Sequence, residues 1–93
     1  MLSLINVNPD IYVVYGITDC PACLRACADL MEANIQYVFV ETDFSVSYRA
    51  HLKKKLGWPT FPIVMRYFKG EEELVGGYEE LRYVLDKEPA APD

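Results

Sequence analysis

"DIYVVYGITDCPACLRAC" (Asp10–Cys27) runs from a β-rich segment through a short turn into the start of a helix, and its last eight residues hold three cysteines. Asp10–Gly16 is apolar on both faces, as in a strand buried at the centre of a sheet. From Pro21 the period changes. Leu24, Cys27, Leu30 and Met31 recur at intervals of three and four, which predicts an amphipathic helix to about Ala33 with those residues facing inward and Asn34 as its stop. Cys20 then falls where the strand ends and the helix begins. Pro21 takes the first helical position, where its missing N–H costs nothing. The unpaired N–H groups and dipole of the helix start favour a thiolate on Cys20. Cys23, one turn later, brings its sulfur within bonding reach. The pair therefore reads as an exposed attacking thiol and a more buried resolving thiol. Zinc would need four converging ligands, with Cys27 and His51 completing the set, and Cys27 lies seven residues along the same helix as Cys20. Cys27 on the inward stripe is better read as a small buried hydrophobe, and His51 as a polar helix residue.

The rest of the chain alternates in the same way. "IQYVFVET" (Ile35–Thr42) predicts a second buried strand. Ser45 or Ser47 is placed to cap a second helix that turns Val46, Leu52 and Leu56 inward and ends at Gly57. "FPIVMRYF" and "EELVGG" flank Lys69–Gly70 as a hairpin, and a last helix from about Tyr78 carries Leu81, Val84 and Leu85 on one stripe. The expected fold class is α/β, a four-stranded mixed sheet with helices on both faces in the order β-α-β-α-β-β-α; the first crossover implies a right-handed parallel pair. The 93 residues make one domain, divided into an N-terminal extension (1–9), the domain proper (10–87) and a flexible tail (88–93). A net charge of -5 argues against nucleic acid as a partner. The run Lys53-Lys54-Lys55 reads as the exposed end of a helix. "MLSLINVNP" lacks a basic segment and a long apolar run, so neither export nor a membrane span is expected. A cytoplasmic setting follows, where close-spaced cysteines mean redox catalysis or metal rather than a structural framework.

With the strand–CxxC–helix unit in hand, the chain resembles the glutaredoxins, small members of the thioredoxin superfamily, over roughly Asp10–Leu85. "VYGITDCPAC", "TFP" (Thr60–Pro62) and "GGYEEL" (Gly76–Leu81) carry the resemblance. It implies a thioredoxin-like fold, catalytic Cys20 and Cys23 supported by Pro21 and Thr60, and glutathione as co-substrate with no bound metal. It also implies a cis proline facing the cysteines. Phe61–Pro62 is the preferred bond. A thioredoxin-like register would make Pro59 the cis residue and leave Pro62 inside a central strand, where it removes a ladder hydrogen bond. By the resemblance, Phe61 offers its backbone to the cysteine part of glutathione, the Gly77 turn and Tyr78 N–H meet the γ-glutamyl carboxylate, and Glu79 pairs with the amine. Glu79 and Glu80 also fit an ordinary acidic helix start.

Two departures from the family pattern bear on function. The usual lysine before the first cysteine is Ile17 here, and Asp19 directly precedes Cys20, which opposes both a thiolate and an anionic tripeptide. "CPYC" is "CPAC", so Ala22 supplies neither ring nor hydroxyl; Arg49, Lys53 or Lys54 stands as a substitute cation. The implied activity is glutathione-linked thiol–disulfide exchange on protein or mixed disulfides by a monomer, with ribonucleotide reductase among the substrates the resemblance allows. Reduction by thioredoxin reductase, an iron–sulfur cluster carrier built on Cys20 of two chains, and an inert interaction module are the alternatives.

Overall fold

The computed structural model describes residues 11–87; the expected N-terminal extension and the 88–93 tail lie outside the described residues. The elements follow the order read from the sequence: β1 (Ile11–Gly16), α1 (Pro21–Glu32), β2 (Gln36–Glu41), α2 (Val46–Leu56), β3 (Ile63–Phe68), β4 (Glu71–Gly76) and α3 (Tyr78–Lys87). Local chemistry sets most of the boundaries. Asn34 leaves α1 with a positive φ. Ser45 caps α2 by accepting from Tyr48 N–H, and Gly57 ends it in the left-handed region. Lys69 and Gly70 both take positive φ, as a two-residue hairpin with primed-turn geometry requires. Phe61 and Pro62 precede β3 rather than forming part of it, so the proline removes nothing from the ladder.

The sheet order is β2-β1-β3-β4. β1 and β2 are parallel, as the crossover through α1 demands. β3 runs antiparallel to both β1 and β4. Tyr12, Val14 and Val64 on one sheet face pack with Ala26 and Leu30 of α1 and Leu81 of α3. Ile63 and Met65, which flank Val64 and point the opposite way, are buried too, and α2 contributes buried Leu52 outside the first cluster. Helices therefore flank both faces.

Three orientations differ from those expected. The buried stripe of α1 is Cys23, Ala26 and Leu30, with Cys27 half-buried, while Leu24 and Met31 are 58% and 64% exposed. The helix phase is dictated at its first turn, where Cys23 must face the sheet, and the stripe then follows at three- and four-residue steps. β2 is half-exposed rather than buried, because it lies at the sheet edge; Val38 is 46% exposed. In α2, Val46 is 73% exposed and only Leu52 is buried.

The ends of β1 and β2 are fastened together where the site begins. Thr42, fully buried, donates both its N–H (2.8 Å) and its hydroxyl (2.9 Å) to Gly16 C=O. A Cβ on Gly16 would lie 2.7 Å from Cys23 Sγ and 2.9 Å from Phe39 Cε1. Only glycine lets the second cysteine pack directly on the strand end.

Leu30→Ala is therefore expected to cost about 2–5 kcal/mol in urea unfolding, and Leu24→Ala within about 0.5 kcal/mol. The reverse ranking would restore the stripe expected from sequence. Gly16→Ala should destabilise the reduced protein by about 1–3 kcal/mol through overpacking, and should also slow closure of the Cys20–Cys23 bond, measured as the oxidation rate of the dithiol.

Candidate active site

Cys20 is the N-cap residue of α1. Its backbone is extended and its sulfur accepts a hydrogen bond from Cys23 N–H at 3.1 Å, the place normally taken by a serine or aspartate oxygen. Pro21 follows at the first helical position. Cys20 is half-buried and Cys23 fully buried. The two are joined as a disulfide with Cα atoms 5.3 Å apart, inside the span such a bond needs. A donor aimed at the first sulfur and a second sulfur held beneath it give the asymmetry expected of an attacking and a resolving thiol.

Cys27, the third cysteine, is free and half-buried, and burial pushes its thiol above the ordinary value. His51 is exposed on α2. Among the described residues no group of three or more His, Cys, Asp and Glu is placed to hold a metal.

The turn leading to Cys20 is held from the far side of the sheet edge. Thr18 donates its N–H and its hydroxyl to the two oxygens of Asp43, both at 2.9 Å. Burial pushes the Asp43 carboxyl up, but the two Thr18 hydrogen bonds, one from Glu41 and the Arg49 charge outweigh it and hold it below its ordinary value. Glu41 is raised by that same hydrogen bond, with burial and the Asp43 charge adding. Arg49 donates to Thr42 C=O at 2.7 Å and so is anchored beside this turn.

A groove of about 370 Å³ runs beside the cysteines, lined by Ala22, Trp58, Thr60, Phe61, Pro62 and the Gly77–Glu80 segment. Thus Thr60, Phe61, Pro62, Gly77, Tyr78 and Glu79, singled out in two separate stretches of sequence, share one wall system with Ala22, which lies between Cys20 and Cys23. The cis peptide is Phe61–Pro62, so Pro62 carries it and Pro59 does not. On the opposite wall, β4 carries one extra residue between Leu74 and Gly76 relative to β3, and Gly76 has φ +125, a conformation open to glycine. These two features turn the chain into α3. Gly77 C=O accepts from Leu81 N–H, and Glu80 Oε1 accepts from Gly77 N–H at 3.0 Å, the backward-reaching half of a capping box at the helix start. Tyr78 and Glu79 then hold the first two helical positions, whose N–H groups have no partner within a helix.

The Tyr78 phenol donates to Asp29 Oδ2 on α1 at 2.7 Å; that hydrogen bond, with burial and the Asp29 charge, raises its pKa. Arg82 joins the same carboxylate at 3.3 Å. The side chain of Tyr78 thereby ties α3 to α1. Lys53 Nζ lies 5.2 Å from the Phe61 ring centroid, placing a cation by the groove's edge. Glu79 is exposed.

Sequence reading did not assign Ala22, Trp58 or Glu80 to the groove, nor pair Thr18 with Asp43. Glu80 was recoverable as the third residue after a helix cap. The other contacts join residues far apart in the chain and leave no local signal.

Comparison with known structures and families fits this architecture. The glutathione complex of a buckwheat glutaredoxin superposes with a TM-score of 0.69 at 22% identity, covering 84% of this chain and 70% of that one. Glutaredoxin 1 from Francisella tularensis, complexed with cacodylate, gives 0.70 at 22% identity over 84% and 94%. A glutaredoxin from Brucella melitensis gives 0.62 at 22% over 82% and 78%. At these identities the likeness establishes the fold. A search of curated proteins finds no significant match. The family model for glutaredoxin matches residues 12–71, well over half of the sequence and including both cysteines of the capped pair, and the chain belongs to the glutaredoxin family.

Proposed function

We propose that this glutaredoxin draws its electrons from glutathione seated in the groove beside Ala22, and passes them to protein or mixed disulfides. The observation that carries the reading is the convergence of Phe61, Pro62, Gly77, Tyr78 and Glu79 on one groove with Ala22, two residues after the capped Cys20. The Phe61 backbone pairs with the cysteinyl part of the tripeptide, as an added strand would. The α3 start receives the γ-glutamyl carboxylate through the N–H groups of Tyr78 and its neighbour, and Glu79 takes the ammonium. Lys53, rather than Arg49, supplies the cation missing at Ile17.

The exchange is carried by the two sulfurs. The Cys20 thiolate attacks one sulfur of a substrate disulfide; the old S–S bond breaks and the leaving thiolate takes up a proton. Cys23 then gives up its proton and attacks Cys20, releasing the second substrate thiol and leaving the Cys20–Cys23 disulfide. Two electrons have moved from the dithiol to the substrate. One glutathione thiolate reopens that bond at Cys20, freeing Cys23, and a second removes the first as glutathione disulfide. The Cys23 N–H stabilises charge on Cys20 sulfur whenever it is the attacking or leaving group.

The protein works as a monomer in a reducing compartment such as the cytosol, without a bound metal, and the disulfide of ribonucleotide reductase falls within its substrate class. No helix among the described residues is long and apolar enough to cross a membrane.

In a coupled assay with glutathione and its reductase, Cys20→Ser is expected to fall to the uncatalysed background. Cys23→Ser should accumulate a stable glutathione adduct on Cys20. NMR shifts between its reduced and glutathionylated forms should concentrate at Phe61 and at Gly77–Glu79. Activity surviving in Cys20→Ser would end the mechanism, and shifts that spare the groove would remove glutathione from it. Turnover with thioredoxin reductase alone would make that enzyme the electron source. Thiol labelling offers a second check. With its pKa raised by burial, Cys27 stays protonated across pH 7–8, so iodoacetamide should modify Cys20 of the reduced protein before Cys27. Equal rates at Cys20 and Cys27 would contradict it.

A further inference from the structure

A second depression, of about 520 Å³, lies at the C-terminal end of α2, lined by Ala50, Lys53, Lys54, Gly57, Trp58 and Pro59. Trp58 lines both this depression and the groove beside the cysteines. The two are thus neighbouring stations on one surface, joined across an indole. A polypeptide whose disulfide reaches Cys20 has room to lay its flanking residues over Trp58 and into the second station.

Charge indicates what that flank carries. Helix α2 (VSYRAHLKKKL) contains Arg49, Lys53, Lys54 and Lys55 and no acidic residue, in a chain with 14 Asp and Glu against nine Lys and Arg. Lysines in a last helical turn offset the helix dipole. The dipole does not account for the absence of any acid along the helix, or for an apolar hollow bordered by two of the lysines. In a mainly acidic protein, a cationic face that adjoins the groove beside Ala22 favours acidic over basic segments of a bound chain.

We infer that the α2 depression docks an acidic segment, carrying an apolar side chain, that flanks the reactive cysteine of a protein disulfide substrate. The apolar side chain sits on Trp58, Pro59 and Ala50, and its neighbouring carboxylates meet Lys53 and Lys54. The inference rests on the Cys20–Cys23 exchange described above and adds to it a preference among protein substrates.

The test uses reduced full-length protein and three peptides with the same disulfide, flanked by Leu-Glu-Glu, Leu-Gln-Gln or Leu-Lys-Lys. Second-order reduction rates are followed by fluorescence of Trp58, the chain's single tryptophan. The readout is each charged peptide's rate relative to the neutral one. At low ionic strength the acidic peptide should react about three- to ten-fold faster than the neutral one, and the advantage should fade in high salt. Lys54→Glu, an exposed substitution, should abolish or reverse it. A ratio near one in the wild type, or an acidic preference that survives Lys54→Glu, overturns the inference while leaving the exchange chemistry intact. Failure to reduce any of the peptides removes that chemistry and the inference with it. Sedimentation under the same conditions should show a monomer; a dimer that Lys54→Glu dissociates would assign the face to a second copy of the chain and overturn the docking role.

Discussion

The site depends on one hydrogen bond, from Cys23 N–H to Cys20 Sγ. It is both a helix cap and an electrostatic device. As a cap it sets where α1 starts, and hence which residues of α1 face the sheet. As a donor to sulfur it strengthens when Cys20 is ionised, because a charged acceptor binds an N–H more strongly than a neutral one. A cap of this kind contributes about 0.5–2 kcal/mol, and about 1.4 kcal/mol corresponds to one pKa unit. Fold stability and nucleophile activation are therefore two readings of the same contact. Favouring the thiolate also favours the reduced state, which makes the pair a better oxidant of whatever reduces it.

That contact imposes geometry on its surroundings. For Cys23 to stand one turn inside α1 and still touch the strand end, β1 must finish in a residue without a side chain, and Gly16 provides this. Its carbonyl is then fixed by Thr42, and the turn between them by Asp43 on Thr18. Residues that never approach a substrate thus hold the reactive sulfur in place, through the adjoining ends of two parallel strands.

The same reasoning separates what could be read from the chain from what could not. Pro21, Ser45, Gly57 and the Lys69–Gly70 turn act within a few residues of themselves, so element order and most boundaries were legible. The orientation of the elements was not. Leu24 and Met31 share helical spacing with Leu30, and spacing alone does not say which of two adjacent stripes meets the sheet; Cys23 and Gly16 decide it. β2 looks like a buried strand because its residues are apolar, yet it is an edge, and edge position depends on which strands pair. The cysteine pair was legible because strand, proline and spacing lie in one short stretch. The groove was legible only through resemblance, since its walls come from three distant segments. Trp58 and Ala22 carry no chemistry that would mark them before the walls are assembled.

Trp58 also explains why a small domain can serve both a tripeptide and a protein. Its indole packs where a Cβ on Gly77 would lie 3.2 Å from Nε1, so it is held against the α3 turn on one side and exposes a face to the α2 hollow on the other. The two surfaces beside it have opposite character. Glu79 and Glu80 border the groove at the α3 start, which suits an ammonium, whereas Lys53 and Lys54 border the hollow, which suits carboxylates. Ile17 leaves the turn before the nucleophile without a cation, and positive charge lies instead on the rim of α2. A cation in that turn would act mainly on the sulfur and on any ligand bound to it. Lys53, beside the Phe61 ring, still serves the groove, whereas Lys54 borders only the hollow and acts on residues further along a bound chain, where glutathione is too short to reach and a protein substrate is not.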